Sequence, residues 1–317
     1  MRRAQPSRSA RAFAPGHITG VFAPALEAHD PRARGSVGAG LVLELGVYAR
    51  ATFTPDRPRR LLLTSDVRHP LPISLDVAHR FFAGGDGRLE VELRHELPIG
   101  QGFGMSSAGA LATALAVAAV LGAPTERVVR TAHVADLFGG GGLGGVSAIL
   151  GGGLELRRTP GIPPWGEIRH RQFPAPIFLT VVGPPIPSPT LLENPRFLKR
   201  VRRTAGRGIR RLARQFSPSA FLAESARFGD RLGLATPAVR DALRRLRSPG
   251  VAASQTMFGQ AVWAVASSVR ARRRLMDALE ASGVSSVEVH AASVRGVPWV
   301  RVERRSARRG RRRSRAR

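Results

Sequence analysis

Leu97-Pro98-Ile99-Gly100-Gln101-Gly102-Phe103-Gly104-Met105-Ser106-Ser107-Ala108-Gly109-Ala110 is the stretch from which the rest of this chain is read. Glycine stands at every second position from 100 to 104, so the backbone N–H groups of this loop are open to close approach by a ligand. The alanine-rich run from Ala108 to Val120 predicts a helix that begins near the two serines. A helix start presents unpaired amides and the positive end of the dipole to one spot. Loop and helix start together predict an anion site, with a nucleotide phosphate as the natural occupant. An isolated Gly-x-Gly would read as an ordinary turn with Ser106 or Ser107 as its N-cap; the longer ordered string outweighs that reading. The string lacks the Gly-Lys-Ser/Thr of a Walker A loop, and no strand–helix–strand unit surrounds it as a dinucleotide fingerprint requires.

At 317 residues the chain is long enough for one large or two modest domains. No apolar run free of charge and glycine reaches the ~18 residues of a membrane span. Met1 to Gly20 is basic without an apolar core segment, so no secretory signal is expected. The absence of cysteine excludes disulfides, cysteine–zinc sites and thiol catalysis, and fits a cytoplasmic protein. The formal charge of +28 rests on 50 basic residues, of which Lys199 is the one lysine. Arginine, alanine, glycine and proline abound while asparagine and tyrosine occur once each, at Asn194 and Tyr48, which is the bias of a GC-rich genome. Arg304 to Arg317 carries nine arginines in fourteen residues without apolar periodicity. It predicts a disordered tail with nonspecific contacts to nucleic acid or acidic surfaces. Lys199 to Arg214 is also basic, but Val201, Ile209, Leu212 and Phe216 give that region one packed face. Neither segment has the interleaved aromatics of a base-reading module, so a nucleic-acid-binding function would rest on charge alone.

The elements predict a two-layer α+β protein in two halves. Residues 1–11 read as a basic, disordered start, 12–170 as a first domain, 171–303 as a second, and 304–317 as the tail. Strands are expected at Ala12–His17, Leu41–Leu45, Ala51–Phe53, Arg60–Thr64, Leu89–Leu93, Leu154–Arg157 and Ile177–Val182, with a helix around Leu75–Phe82. Thr125 is placed to cap a helix running to about Phe138. Pro160 to Pro176 reads as irregular and as the domain boundary. Helices are expected at 194–216, at 218–246 with a break near Gly229–Pro237, and at 257–279 after a loop at 252–256. A hairpin of 286–291 with 298–303 closes the reading.

The string Pro-x-Gly-x-Gly-x-Gly-x-Ser-Ser-Ala at 98–108 resembles the phosphate-binding motif of the GHMP kinases. Further strings resemble one branch of them, the archaeal pantoate kinases. They are Phe13-Ala14-Pro15-Gly16-His17-Ile18-Thr19-Gly20, His29-Asp30-Pro31, Gly35-Ser36-Val37-Gly38-Ala39-Gly40, Ala132-His133-Val134-Ala135-Asp136, Gly142-Leu143-Gly144-Gly145-Val146, Gly151-Gly152-Gly153-Leu154-Glu155-Leu156-Arg157 and Pro160-Gly161-Ile162-Pro163-Pro164-Trp165-Gly166. Ser254-Gln255-Thr256-Met257-Phe258-Gly259 resembles the weaker third motif. The resemblance spans about residues 12–303.

The resemblance implies a GHMP kinase fold with a ribosomal-S5-like first domain and a ferredoxin-like second, ATP lying between them. It implies ATP-dependent phosphorylation of the terminal hydroxyl of pantoate, giving 4-phosphopantoate for coenzyme A synthesis, and a homodimer as a common assembly. Phosphate contacts would fall to Pro98, Gly100, Gly102, Gly104, Ser106 and Ser107. Ser106 and Asp136, where the family usually has Glu, would serve catalysis and hold Mg²⁺. His17, Ser36, His133 and Arg157 would meet the substrate, with Arg158 an alternative to Arg157. His133 also fits a packed, hydrogen-bonded core histidine. One position departs from the family: its Gly-Leu-Gly-Asp-Val string carries a catalytic Asp, and this chain has Gly145 there. A positioned base is worth ~10²–10⁴ in rate, so the departure leaves open a kinase that works without it, a kinase for another small hydroxy acid or alcohol, and a nucleotide-binding member with little activity.

Overall fold

Small and apolar residues alternating with polar ones draw the first half into one bent sheet. The structure, a computed structural model, describes residues 6–55, 57–84, 86–186, 192, 194–294 and 297–303. Seven strands form this sheet: β1 (Arg8–Ala25), β2 (Gly35–Thr54), β3 (Arg60–Ser65), β4 (Arg88–His95), β5 (Gly153–Arg157), β6 (Ile168–Arg171) and β11 (Trp299–Glu303). Their order is β11-β1-β2-β4-β3, with β5 on the early part of β2 and β6 beyond β5. β1 and β2 pair along nearly their whole length, interrupted by register shifts between Pro15 and His17 and between Thr19 and Val21. Such irregularities re-aim side chains, and here they flank His17 and Thr19.

Helices α1 (Pro72–Phe81), α2 (Met105–Leu121) and α3 (Thr125–Phe138) pack with this sheet, and α4 (Gly145–Ala148) is a single turn. α2 is buried almost all round, between the sheet and its two neighbours. Alternating alanines from 108 to 118 let three layers approach it closely.

The second half runs β7 (Ile177–Val181), α5 (Pro195–Arg214), α6 (Pro218–Leu232), α7 (Pro237–Leu246), β8 (Val251–Gln255), β9 (Ala261–Ala266), α8 (Val269–Ser282) and β10 (Ser286–Val289). Three of its helices open on a capping residue followed by proline: Asn194, Ser217 and Thr236 each accept a backbone N–H three residues on. The antiparallel order β10-β7-β9-β8 is the 4-1-3-2 arrangement of a ferredoxin-like β-α-β-β-α-β unit. One face of this sheet, with Phe178, Val262 and Ala264, packs on Leu243 and Leu275 of α7 and α8. The other face turns Leu179 and Trp263 into the main core, where Trp263 stacks on Phe221 of α6 at 5.8 Å.

Six expectations need correction. Thr125 is the first residue of α3, after Pro124, and makes no capping bond. Leu41–Leu45 and Ala51–Phe53 are parts of one strand, β2, and not two. Residues 8–11 are strand, because buried Ala10 and Ala12 alternate with outward Arg11, all four pair with β2, and Ser9 to Arg11 pair with β11 as well. Residues 251–255 and 261–266 are strands where a loop and the start of a helix were expected; both faces of β9 are buried, so its apolar run carries no period-2 signature. Ile168–Arg171 is a strand within the segment expected to be irregular, completed by pairing with β5. No hairpin joins 286–291 to 298–303: β10 pairs with β7, whereas β11 crosses back to β1 in the first sheet. Residues 1–5 and the 304–317 tail lie outside the described residues.

Candidate active site

The glycine loop is bent by left-handed residues, with φ of 74°, 77° and 71° at Gly100, Gly102 and Gly104. Gly102 has no room for a side chain, since a Cβ would stand 2.3 Å from the Met257 carbonyl oxygen. Gly104 caps α2, and a Cβ there would press on the His17 backbone nitrogen at 3.0 Å. Buried Gln101 ties the loop to the second half, donating to the Gly183 carbonyl at 2.9 Å and accepting from the Gln260 N–H at 3.0 Å. The glycine loop is therefore held from both halves. Phe258, at φ 61°, is a strained non-glycine residue at the same junction.

A cleft of about 350 Å³ lies along this loop. It brings together His17, Ser36, Gly100, Gly102, Gly104, Ser106, Ser107 and Arg157 from the expected residues, and adds Thr19, His69, Met257 and Phe258. Three expected residues are not on its wall. Pro98 is exposed and Ile99 lines the cleft instead. His133 is buried within α3 and its ring N–H donates to the Pro31 carbonyl at 3.2 Å, so it braces the turn that leads to Ser36. Burial lowers the His133 pKa, against the pull of its backbone acceptors. Asp136 sits beneath the floor. Arg158 is exposed and paired with Glu167 at 2.7 Å, which leaves Arg157 as the arginine of the cleft.

Asp136 Oδ2 accepts the Ser107 hydroxyl at 2.6 Å, while Oδ1 is buried without a hydrogen-bond partner. Burial pushes the Asp136 pKa up to about 7, against the pull of the two serine hydroxyls. A Cβ on Gly141 would stand 2.2 Å from that Oδ1 and 2.7 Å from Ser106 Oγ, so glycine leaves a small space between the two oxygens. Gly145 is crowded differently. A Cβ there would stand 1.9 Å from Ser107 Oγ and 2.7 Å from Ser107 Cβ, so Ser107 fills the space beside it.

The opposite wall is built by β5 and β1. Arg157, 2 % exposed, donates to Glu155 Oε1, and His17 Nε2 lies 3.0 Å from the same oxygen. Burial pushes the Glu155 pKa up, but the Arg157 charge and the His17 hydrogen bond outweigh it and hold the carboxyl below its ordinary value. Glu155 is thus ionised and accepts only, which places the His17 proton on Nε2. Arg157 Nε is buried without a partner. A Cβ at Gly144 would stand 2.6 Å from Ser36 Oγ and 3.2 Å from that Nε, so glycine at 144 keeps space open between the two. Glu155 was absent from the sequence expectations, because an acid within a short strand reads as an outward residue; its signal is the Glu-x-Arg spacing, which puts both on one face of β5.

Comparison with known proteins agrees with this geometry. The GHMP kinases N terminal domain family matches residues 73–153, from α1 through the glycine loop to β5. A pantoate kinase of Methanospirillum hungatei is 30% identical over 263 residues, covering 80% of this chain and 86% of that protein. A pantoate kinase of Thermococcus kodakarensis is 29% identical over 265 residues, covering 80% and 87%. A solved phosphotransferase related to the CoA biosynthesis pathway superposes with a TM-score of 0.79 at 25% identity, over 92% of this chain and 98% of the other. Mevalonate diphosphate decarboxylase from Staphylococcus aureus shares the fold at a TM-score of 0.68 and 14% identity, over 94% and 99%. With its fold, its phosphate loop and a 30%-identical relative spanning most of both proteins, the chain belongs to the pantoate kinase family of the GHMP kinases.

Proposed function

We propose that this chain transfers the γ-phosphoryl group of ATP to the terminal hydroxyl of pantoate, giving 4-phosphopantoate for coenzyme A synthesis. The observation that carries the reading is Arg157: a buried guanidinium with an unpartnered Nε on the wall of the cleft that the glycine loop borders. A planar, permanently charged fork suits a substrate carboxylate, and Ser36 stands across the space kept by Gly144. Gly100, Gly102, Gly104, Ser106 and Ser107 cradle the nucleotide phosphates through loop amides and the start of α2. Phosphoryl transfer depends chiefly on such positioning and charge stabilisation. Use of ATP supports a cytoplasmic location; among the described residues no helix is long and apolar enough to cross a membrane.

The residues fit the magnesium ion that the fold family implies. Asp136 Oδ1 is an orphaned buried oxygen, and the glycine at 141 keeps a gap between it and Ser106 Oγ. Among the described residues no group of three or more His, Cys, Asp or Glu surrounds a common point. This suits an ion bound by one carboxylate together with substrate phosphates. Bound there, magnesium would neutralise charge on the transferring phosphoryl group.

The test is an assay of the protein with Mg·ATP and pantoate, following 4-phosphopantoate by mass spectrometry. Product supports the reading. Nucleotide binding without turnover of pantoate, while another hydroxy acid is phosphorylated, moves the substrate assignment. Nucleotide binding without any phosphorylated product favours a noncatalytic member, the reading that Gly145 motivates.

A further inference from the structure

Among the described residues, no carboxylate lines the cleft. Its titratable residues are His17, His69 and Arg157. Arginine stays protonated and takes no proton. His69 is exposed at the mouth and bonds the neighbouring Pro70 carbonyl at 2.8 Å, with no carboxylate behind it. His17 differs on each count. It is 4 % exposed, its backbone N–H is fixed to the Phe103 carbonyl at 2.9 Å, and it packs on Gly104 where α2 begins. Its Nε2 is bonded to ionised Glu155, so Nδ1 carries the lone pair and accepts a long hydrogen bond, 3.5 Å, from the Thr19 hydroxyl, a contact on the cleft wall that a substrate hydroxyl would replace. A nitrogen base oriented by a carboxylate on its far side is the arrangement that hydroxyl activation requires.

We propose that His17, oriented by Glu155, accepts the proton of the substrate hydroxyl, the role that glycine at 145 leaves vacant. The proposal rests on the kinase reading given above. The hydroxyl oxygen forms its bond to the γ-phosphorus, and the bond from that phosphorus to the β–γ bridging oxygen breaks, its electron pair leaving on ADP. The hydroxyl proton passes to His17 Nδ1, and the imidazolium so formed is balanced by Glu155 before it releases the proton to water. The distances suit a short hydroxy acid. His17 Nε2 and the Arg157 guanidinium each stand one hydrogen bond from the same Glu155 oxygen, so they are no more than about 6 Å apart, and Nδ1 is about 2 Å farther across the ring. A span of at most about 8 Å is within reach of an extended four-carbon acid with one hydrogen bond at its carboxylate and one at its far hydroxyl. The charged groups facing His17 are Glu155 and Arg157, both from β5; burial lowers its pKa, the Glu155 hydrogen bond and charge raise it, and Arg157 lowers it again. The net lowering keeps the ring unprotonated at neutral pH.

Glu155 acts here as a positioning residue. The experiment measures kcat and KM for pantoate, from pH 5 to 9, for the parent chain, His17→Gln, His17→Asn, Glu155→Gln and His69→Gln. It adds nucleotide affinity by calorimetry and the His17 tautomer by ¹⁵N NMR. His17→Gln is expected to lose ~10²–10⁴-fold in kcat, with KM and nucleotide affinity within threefold, and to reduce the acidic limb of the parent profile from two protonations to the one of Asp136 near pH 7. Glu155→Gln is expected to lower kcat and move the second protonation. The NMR of the parent is expected to show Nε2–H with Nδ1 unprotonated. Retention of kcat in His17→Gln, a change confined to KM, survival of both protonations, an Nδ1–H tautomer, or loss of kcat through His69→Gln instead would each overturn the proposal. If His17→Gln does not fold, His17→Asn and the parent tautomer decide. A parent that makes no 4-phosphopantoate overturns the kinase reading and this proposal together, whereas an active parent with an active His17→Gln overturns the proposal alone.

Discussion

At the scale of single residues, two buried carboxylates are handled in opposite ways. Asp136 has no cation beside it, so burial keeps it protonated up to about pH 7. The unfolded chain releases that proton near pH 4, so across pH 4–7 the folded state binds more protons and its stability falls as pH rises, by up to about 1.4 kcal/mol per unit. Asp136→Asn is expected to remove this slope, seen as the difference between the two proteins in urea unfolding at pH 4.5, 5.5, 6.5 and 7.5. Glu155 instead lies against Arg157, with its carboxyl held low. Arg157→Met leaves it buried and uncompensated, for a cost of about 3–5 kcal/mol. The double variant with Glu155→Gln is expected to regain part of that stability but not the KM for pantoate. Gly145 is a matter of space. Gly145→Ala places a Cβ against Ser107 and is expected to cost about 1–3 kcal/mol, relieved when Ser107→Gly is added; a double-mutant cycle measures the coupling. Restoring an aspartate at 145 alone therefore does not restore a family site, because Ser107 already occupies its room.

At the scale of elements, the shape of the glycine loop is set by the second half as much as by the loop itself. Gly102→Ala forces a Cβ into the Met257 carbonyl at a left-handed φ. It is expected to weaken nucleotide binding at least tenfold by calorimetry, with a smaller loss of Tm. The loop and α2 were legible in the sequence because alternating glycines and alanines act locally, on the backbone of their own segment. Resemblance supplied Ser36, His17 and Arg157, and the structure places all three on the cleft. Glu155 was not legible, since its burial depends on strands β2 and β6 arriving on either side of β5. The same cause hid β8 and β9: a strand covered on both faces looks like a stretch of buried helix until its partners are known. His133 shows the converse, a residue whose motif was legible but whose side chain serves the turn at Pro31 and not the cleft.

At the scale of the whole molecule, β11 closes the first sheet after the chain has built the second. Trp299 packs 6.2 Å from both Phe13 and Tyr48, and Glu303 pairs with Arg11 at 2.6 Å. Removing residues from Trp299 onward uncovers the edge of β1, and concentration-dependent association by light scattering is expected. Ending the chain after Glu303 instead is expected to leave Tm and nucleotide affinity unchanged while lowering the salt needed to elute the protein from a polyanion column, since the nine arginines of the tail are lost from a formal charge of +28. The register has a mechanical side as well. Ser9 lies directly opposite Glu303, at matching ends of an antiparallel pair. Tension applied across these two points loads the ladder one rung at a time, as in a zip fastener, so under pulling the molecule is expected to open first along the seam where its last strand joins the first sheet.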